Sequence, residues 1–211
     1  MSAPDFLIAD IRVIKEGKYA EYRDQMKLAI AAFGGRLIAR GQEPKVIEGG
    51  WSPARMLVVE FPDAGAAQRF RVSDQYRGTA ELAHNCAMVD MVLVEGIKAA
   101  RHAGAAHSPA YAIADTRVVN QARFAELSES INEAIHRYHG RHLAWSDHAQ
   151  TVEGNWAPAL LTLLEFPDYE QTLVHYASAD YRQTLEVLSN VLSNAAMIDL
   201  VLLRGIGADE P

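Results

Sequence analysis

The sequence predicts an α+β protein made of two ferredoxin-like β-α-β-β-α-β repeats, packed sheet to sheet as an intrachain pseudo-dimeric α+β barrel. Three observations carry this: an internal repeat at a shift of 105 residues, the same order of strand-like and helix-like segments in both copies, and an apolar sheet face that each copy alone would leave bare.

The repeat begins with Ile8-Ala9-Asp10, which returns as Ile113-Ala114-Asp115. At the same shift Gly35-Arg36 returns as Gly140-Arg141, and Glu48-Gly49 with Trp51 and Pro53 returns as Glu153-Gly154 with Trp156 and Pro158. Glu60-Phe61-Pro62-Asp63 returns as Glu165-Phe166-Pro167-Asp168, and Ser73 with Tyr76-Arg77 as Ser178 with Tyr181-Arg182. Asp90, Val92 and Gly96-Ile97 match Asp199, Val201 and Gly205-Ile206 at a shift of 109, so copy two gains four residues between Tyr181 and Asp199. Four residues lengthen a helix by about 6 Å and turn it by only ~40°, which predicts that a helix absorbs them. The small, weakly patterned stretch before residue 110 reads as a linker, giving a first repeat over 1–100, a linker over 101–109 and a second repeat over 110–211.

Within copy one, Phe6 to Val13 is rich in Ile and Val and alternates, which predicts a strand. Tyr19, Tyr22, Met26, Ile30 and Phe33 recur at spacings of three and four, one apolar stripe of a helix that Gly34-Gly35 stops. Arg36 to Arg40 is a second strand, and Val46-Ile47 with the Gly49-Gly50 pair predicts a short hairpin arm. Met56 to Phe61 is a third strand, ended by Pro62. Asp63 caps the following helix, because its carboxylate accepts from first-turn N–H groups, and Ser73 or Asp74 restarts the helix as a second piece. Val89 to Val94 closes the repeat as a fourth strand. Helices on one side of such a sheet leave the other side apolar, and burying a large apolar side chain contributes roughly 1.5–3 kcal/mol. The two bare faces are therefore expected to meet.

The bulk of the chain sets limits on function. Its 211 residues are 49% hydrophobic and 22% charged, ordinary for a globular protein. A net charge of −7 argues against a nucleic-acid or anionic-membrane partner, which would need a basic face to neutralise phosphates. The lone Cys86 forms no intrachain disulfide, and Met1 to Asp5 shows no signal-peptide pattern, so a cytoplasmic location is expected. Cys86 itself reads as a small buried thiol.

The opening Ile-Ala-Asp, the strand from Gly35-Arg36 to Arg40-Gly41, the Glu-Gly-x-Trp-x-Pro arm, Glu-Phe-Pro-Asp, Ser-x-x-Tyr and the closing Val92 to Gly96 together resemble the domain of unknown function 1330 family. The resemblance covers nearly the whole chain, twice. It implies the dimeric α+β barrel superfamily, whose members include cofactor-free monooxygenases, isomerases, cyclases, haem-handling enzymes and stress proteins. Fold therefore selects no activity. Copy two departs where Arg40-Gly41-Gln42 becomes Trp145-Ser146-Asp147 and Val94-Glu95-Gly96 becomes Leu203-Arg204-Gly205, so the two half-sites are unequal.

Alternation sends Leu7, Ala9, Ile11 and Val13 to the helix side of strand one and Phe6, Ile8, Asp10 and Arg12 to the other face. The same rule turns Arg36, Arg40 and Glu60 inward, with Asp115, Arg117, Arg141 and Glu165 as their copy-two counterparts. As a site, these are a carboxylate base with arginines that hold an organic anion. As structure, they neutralise one another or reach solvent at the rim. Because copy two has Trp145 where copy one has Arg40, an anionic ligand is expected nearer copy one. His142, standing where copy one has Leu37, is a candidate acid or base, although alternation turns it towards the helices. No nucleotide motif and no His/Cys cluster at metal-ligand spacing occurs, so neither a cofactor nor a metal is expected. Trp51 and Trp156 read as packing anchors. The functions left standing are a cofactor-independent enzyme acting on a small acidic or aromatic molecule by proton transfer, isomerisation, cyclisation or oxygenation, or a non-catalytic ligand-binding or stress-associated protein. A small-molecule ligand and a homodimer of such chains are the partners this reading allows.

Overall fold

A computed structural model describes residues 2–98, 108–178 and 195–206. The chain runs β1 (Asp5–Val13), α1 (Glu16–Ala32), β2 (Arg36–Gln42), β3 (Lys45–Glu48), β4 (Arg55–Phe61), α2 (Ala64–Arg71), α3 (Asp74–Ala83) and β5 (Ala87–Glu95). Copy two repeats it with β6 (Ala110–Val118), α4 (Gln121–Arg137), β7 (Arg141–Ser146), β8 (Gln150–Glu153), β9 (Leu161–Phe166), α5 (Tyr169–Ala177) and β10 (Ala196–Arg204). The expected order is present in both copies. The linker falls mostly outside the described residues, as does most of the segment where copy two gains four residues.

Two compact units result, and they do not coincide with the two repeats. The first comprises residues 1–44, 52–98 and 148–157; the second comprises 45–51, 99–147 and 158–211. Each contains a five-stranded antiparallel sheet, β2-β4-β1-β5-β8 in the first and β3-β10-β6-β9-β7 in the second. The short arm strand thus leaves its own repeat. β8 of copy two pairs with β5, and β3 of copy one pairs with β10. The expectation of a hairpin arm and a four-stranded sheet is corrected on this point: the arm supplies the fifth strand of the other repeat's sheet.

Local chemistry accounts for the elements of the first unit. Tyr19, Tyr22, Met26, Ala29 and Ile30 form the buried stripe of α1, and the helix ends where Gly34 takes a φ of 73° that costs a glycine little. Asp63 caps α2 by accepting from the Ala66 N–H at 2.8 Å, and the Ser73 hydroxyl caps α3 by accepting from the Tyr76 N–H at 3.1 Å. Leu7, Ala9, Ile11, Val59 and Phe61 share one core with Tyr22, Met26, Phe70 and Cys86, so the helix-side faces of β1 and β4 are those that alternation predicts.

Alternation fails in β2. Its register with β4 shifts between Leu37 and Ala39, so Leu37 lies opposite Val59, Ala39 opposite Val58 and Arg40 opposite Leu57. The extra residue at Ile38 is a bulge that turns every later side chain to the other face. Copy two carries the same shift between His142 and Ala144. Among the described residues no helix is long and apolar enough to cross a membrane.

Candidate active site

The residues singled out by alternation do not gather into one constellation. Arg36 reaches Glu60 at 2.9 Å, but its side chain remains 60% exposed. Arg141 pairs with Glu165, which also accepts from the Tyr111 hydroxyl at 2.9 Å. Asp10 and Arg12 stand elsewhere. Glu60 lies opposite Phe6 while Asp10 lies opposite Met56, four residues along β1 or roughly 13 Å away. Arg40 is corrected outright: the bulge puts it out of phase with Arg36, and it is exposed. Arg12 and Arg117 are exposed as well. His142 sits on the helix side, where its Nε2 meets Asn132 Oδ1 at 3.0 Å, and burial, then nearby His136, lowers its pKa.

The aspartates of this set hold backbone. Asp10 Oδ1 accepts from the Ala54 N–H at 2.9 Å, and Asp115 Oδ1 accepts from the Ala159 N–H at 3.0 Å. Burial raises the Asp10 pKa, opposed by the N–H groups of Ala54 and Arg55. Their cross-strand neighbours Asp90 and Asp199 fasten the exchanged arms. Asp90 Oδ1 accepts from the N–H groups of Asn155 and Trp156 at 2.7 and 3.1 Å, and Asp199 Oδ1 from those of Gly50 and Trp51 at 2.8 and 2.9 Å. Sequence reasoning recorded Asp90 and Asp199 only as repeat matches. Their recurrence beside the Glu-Gly-x-Trp arm was the available signal.

The exchange also builds a polar cluster in the first unit. Tyr19 and Tyr22, three residues apart on α1, lie with their ring centroids 5.7 Å apart. From α3, the Tyr76 hydroxyl donates to Glu153 Oε2 at 3.0 Å, and Glu153 arrives on β8 from copy two. His84, just past α3, places Nε2 at 3.9 Å from the other oxygen of Glu153, whose side chain is 15% exposed. The Tyr22 hydroxyl is buried, and among the described residues it has no hydrogen-bond partner. Burial raises the pKa of Glu153, although the Tyr76 hydroxyl and His84 oppose it. Burial and the charge of Glu153 push Tyr76 and Tyr22 far up, so both hold their protons as donors. A carboxylate in apolar surroundings beside a fixed donor and an unused one is an acid–base arrangement. At the positions of Tyr19 and Tyr22, copy two has Phe124 and Leu127.

Open clefts lie away from this cluster. One, of about 560 Å³, lies at the β1–α1 corner of the first unit, and another, of about 620 Å³, lies beside Tyr138 and His175 in the second. Among the described residues no group of three or more His, Cys, Asp or Glu is placed to hold a metal ion.

Two ferredoxin-like repeats, each contributing an arm strand to the other's sheet, define the class. The chain belongs to the family described as Domain of unknown function (DUF1330), which it matches over residues 4–97 and again over 109–206. No curated protein is similar enough in sequence to match it. Among solved structures it is similar to an anthrone oxidase-like protein (TM-score 0.59, 7% identity, 98% of this chain and 92% of that one). It is similar too to a candidate monooxygenase from Fusobacterium nucleatum subsp. nucleatum ATCC 25586 (TM-score 0.52, 11% identity, 98% and 94% coverage). A third is a candidate chlorite dismutase (TM-score 0.50, 12% identity, 98% and 96% coverage). At these identities the likeness is one of fold, and it is the α+β barrel class that the sequence predicts.

Proposed function

We propose that the chain is a small-molecule enzyme that works by proton transfer without a cofactor, with Glu153 as the general base. The observation that carries this reading is the Tyr76–Glu153 hydrogen bond beside the buried hydroxyl of Tyr22, which has no hydrogen-bond partner among the described residues. Glu153 Oε1, the oxygen that Tyr76 does not occupy, takes a proton from a weakly acidic C–H or phenolic O–H. Tyr76 fixes the carboxylate, and the Tyr22 hydroxyl donates to the enolate or phenolate oxygen as its charge develops. The rings of Tyr19, Tyr22, Phe70 and Tyr76 share the core beside this carboxylate, which favours an aromatic substrate. The oxidase-like and monooxygenase names among the fold relatives agree with such chemistry, since an enolate or phenolate is electron-rich enough to meet dioxygen directly.

Anthrone is the probe. Its methylene loses a proton to give an enolate, and anthrone with dioxygen gives anthraquinone and water. The full chain is expected to accelerate deuterium exchange at that methylene without air and anthraquinone formation in air. Glu153→Gln should slow both by about 10²–10⁴-fold, the usual range for a general base. Wild-type rates in Glu153→Gln would overturn the reading. Anthrone binding without exchange would favour a non-catalytic binding protein.

A further inference from the structure

We infer that the cleft at the β1–α1 corner of the first unit is a second binding site, one for a small zwitterion of the free α-amino acid class. Its volume of about 560 Å³ lies within the range of small-ligand sites. The apolar part of its wall comes from Ile11, Val13, Pro44 and Pro53. Four charged side chains complete it: Arg12, Glu16, Glu43 and Arg55.

Two of these charges satisfy each other. Arg55 meets Glu16 at 2.6 Å and lies 5.2 Å from the centre of the Tyr19 ring, so it forms a fixed and neutralised wall. The other two are not fixed in this way, although the Arg12 charge is felt by Asp10 two residues before it. Arg12 and Glu43 are exposed, and neither forms an ion pair among the described residues. Ala54 stands between them, with its N–H on Asp10 and its carbonyl accepting from the Glu43 N–H at 2.9 Å. Two strand spacings then separate Arg12 from Glu43 at the backbone, about 10 Å. One positive and one negative side chain line the cleft on either side of that gap, which matches a ligand with its carboxylate on the guanidinium and its ammonium on the carboxylate. A simple carboxylate would leave Glu43 repelling it, and a simple amine would meet the same objection at Arg12.

Two further observations separate this corner from its counterpart in copy two. Glu43 holds a φ of 53°, one of two non-glycine residues in the left-handed region among the described residues, a conformation held at some cost to the backbone. At the positions of Glu16, Glu43 and Arg55, copy two has Gln121, His148 and Leu160, so both the fixed pair and the free acid are missing there.

Calorimetric titration of the full chain with L-valine, isovalerate and isobutylamine tests the inference. The last two are valine without its ammonium and without its carboxylate. L-valine is expected to bind at least tenfold more tightly than either. Arg12→Gln and Glu43→Gln should each weaken valine about tenfold or more with unchanged thermal unfolding, and Glu43→Gln should erase the preference over isovalerate. No heat with L-valine, equal affinity for isovalerate, or valine binding untouched by both substitutions would each overturn it. None of these outcomes depends on Glu153, so this site and the proposed acid–base site stand or fall separately.

Discussion

Removing Asp90 tests how the first unit holds its borrowed strand. The carboxylate accepts two backbone N–H groups of the arm, at 2.7 and 3.1 Å. A hydrogen bond to a charged group contributes about 1.5–3 kcal/mol, and Asn155 is exposed, so the pair falls at the low end, roughly 3–4 kcal/mol. Against this, Asp90 lies directly across from Asp10, and its charge raises the Asp10 pKa. Relief of that repulsion returns ~0.2–1 kcal/mol. Asp90→Ala should therefore destabilise the protein by about 2–4 kcal/mol, which for a chain of this size lowers Tm by roughly 5–15 °C. Asp90→Asn keeps an acceptor without the charge and should lose about half as much. Thermal unfolding followed by circular dichroism gives the shift, and hydrogen exchange should find the β8 amides, Gln150–Glu153, opening first. Gly154→Ala should reproduce the phenotype, because Gly154 has a φ of 77° and an added Cβ would collide with Asp90 Oδ1 and the Val89 carbonyl. If Asp90→Ala melts with the wild type and β8 stays protected, the aspartate does not hold the arm.

Two more outcomes follow from the same geometry. Asp5 is 5% exposed, and burial, then the charges of Glu95 and Asp63, pushes its carboxyl up to about 6 against a single opposing N–H from Gly96. A folded pKa above the ordinary value means that the stability this group contributes is fully present below about pH 4 and lost as pH rises through 6. Asp5→Asn should thus match the wild type below pH 4 and exceed it by ~1–3 kcal/mol above pH 6.5, measured by urea unfolding across pH; equal stability at pH 8 would refute it. A fragment of residues 1–105 retains the β3 arm but loses the β8 that borders β5, so it should dimerise or aggregate in sedimentation runs rather than remain a folded monomer.

Much of this fold was legible because its signals are local. Asp63 and Ser73 announce their helices by chemistry within three residues, and β1 and β4 show their faces because apolar and polar side chains alternate along them. The bulge at Ile38 was not legible, since Leu37-Ile38-Ala39 is apolar on both faces and no polar residue marks the slip. Nor was the destination of the arm. Four residues such as Lys45–Glu48 can pair with any open sheet edge, and which edge is open depends on the whole topology. The candidate base was hidden for the same reason: Glu153 becomes a neighbour of Tyr76 only after β8 has joined β5. The contrast of Tyr19 and Tyr22 with Phe124 and Leu127 was readable, but without Glu153 it had no chemical meaning.

Arm exchange also explains why the two copies diverged unevenly. The donors of the first-unit cluster come from copy one and its carboxylate from copy two. Copy two can therefore lose the tyrosines of its own helix without touching that cluster, and α4 has Phe124 and Leu127 there. It cannot lose Glu153, Gly154 or the Trp156 N–H in the same way, because Tyr76 and Asp90 of the first unit hold them. The Glu-Gly-x-Trp arm is accordingly among the segments where the copies still match, while the strand-two corner and the helix stripe differ. Each arm is held by an aspartate of the other repeat, Asp90 for the second arm and Asp199 for the first, and both repeats keep that aspartate. The match between the arms follows from the match between their anchors, and it persists where the helix stripes differ because the anchors lie on β5 and β10.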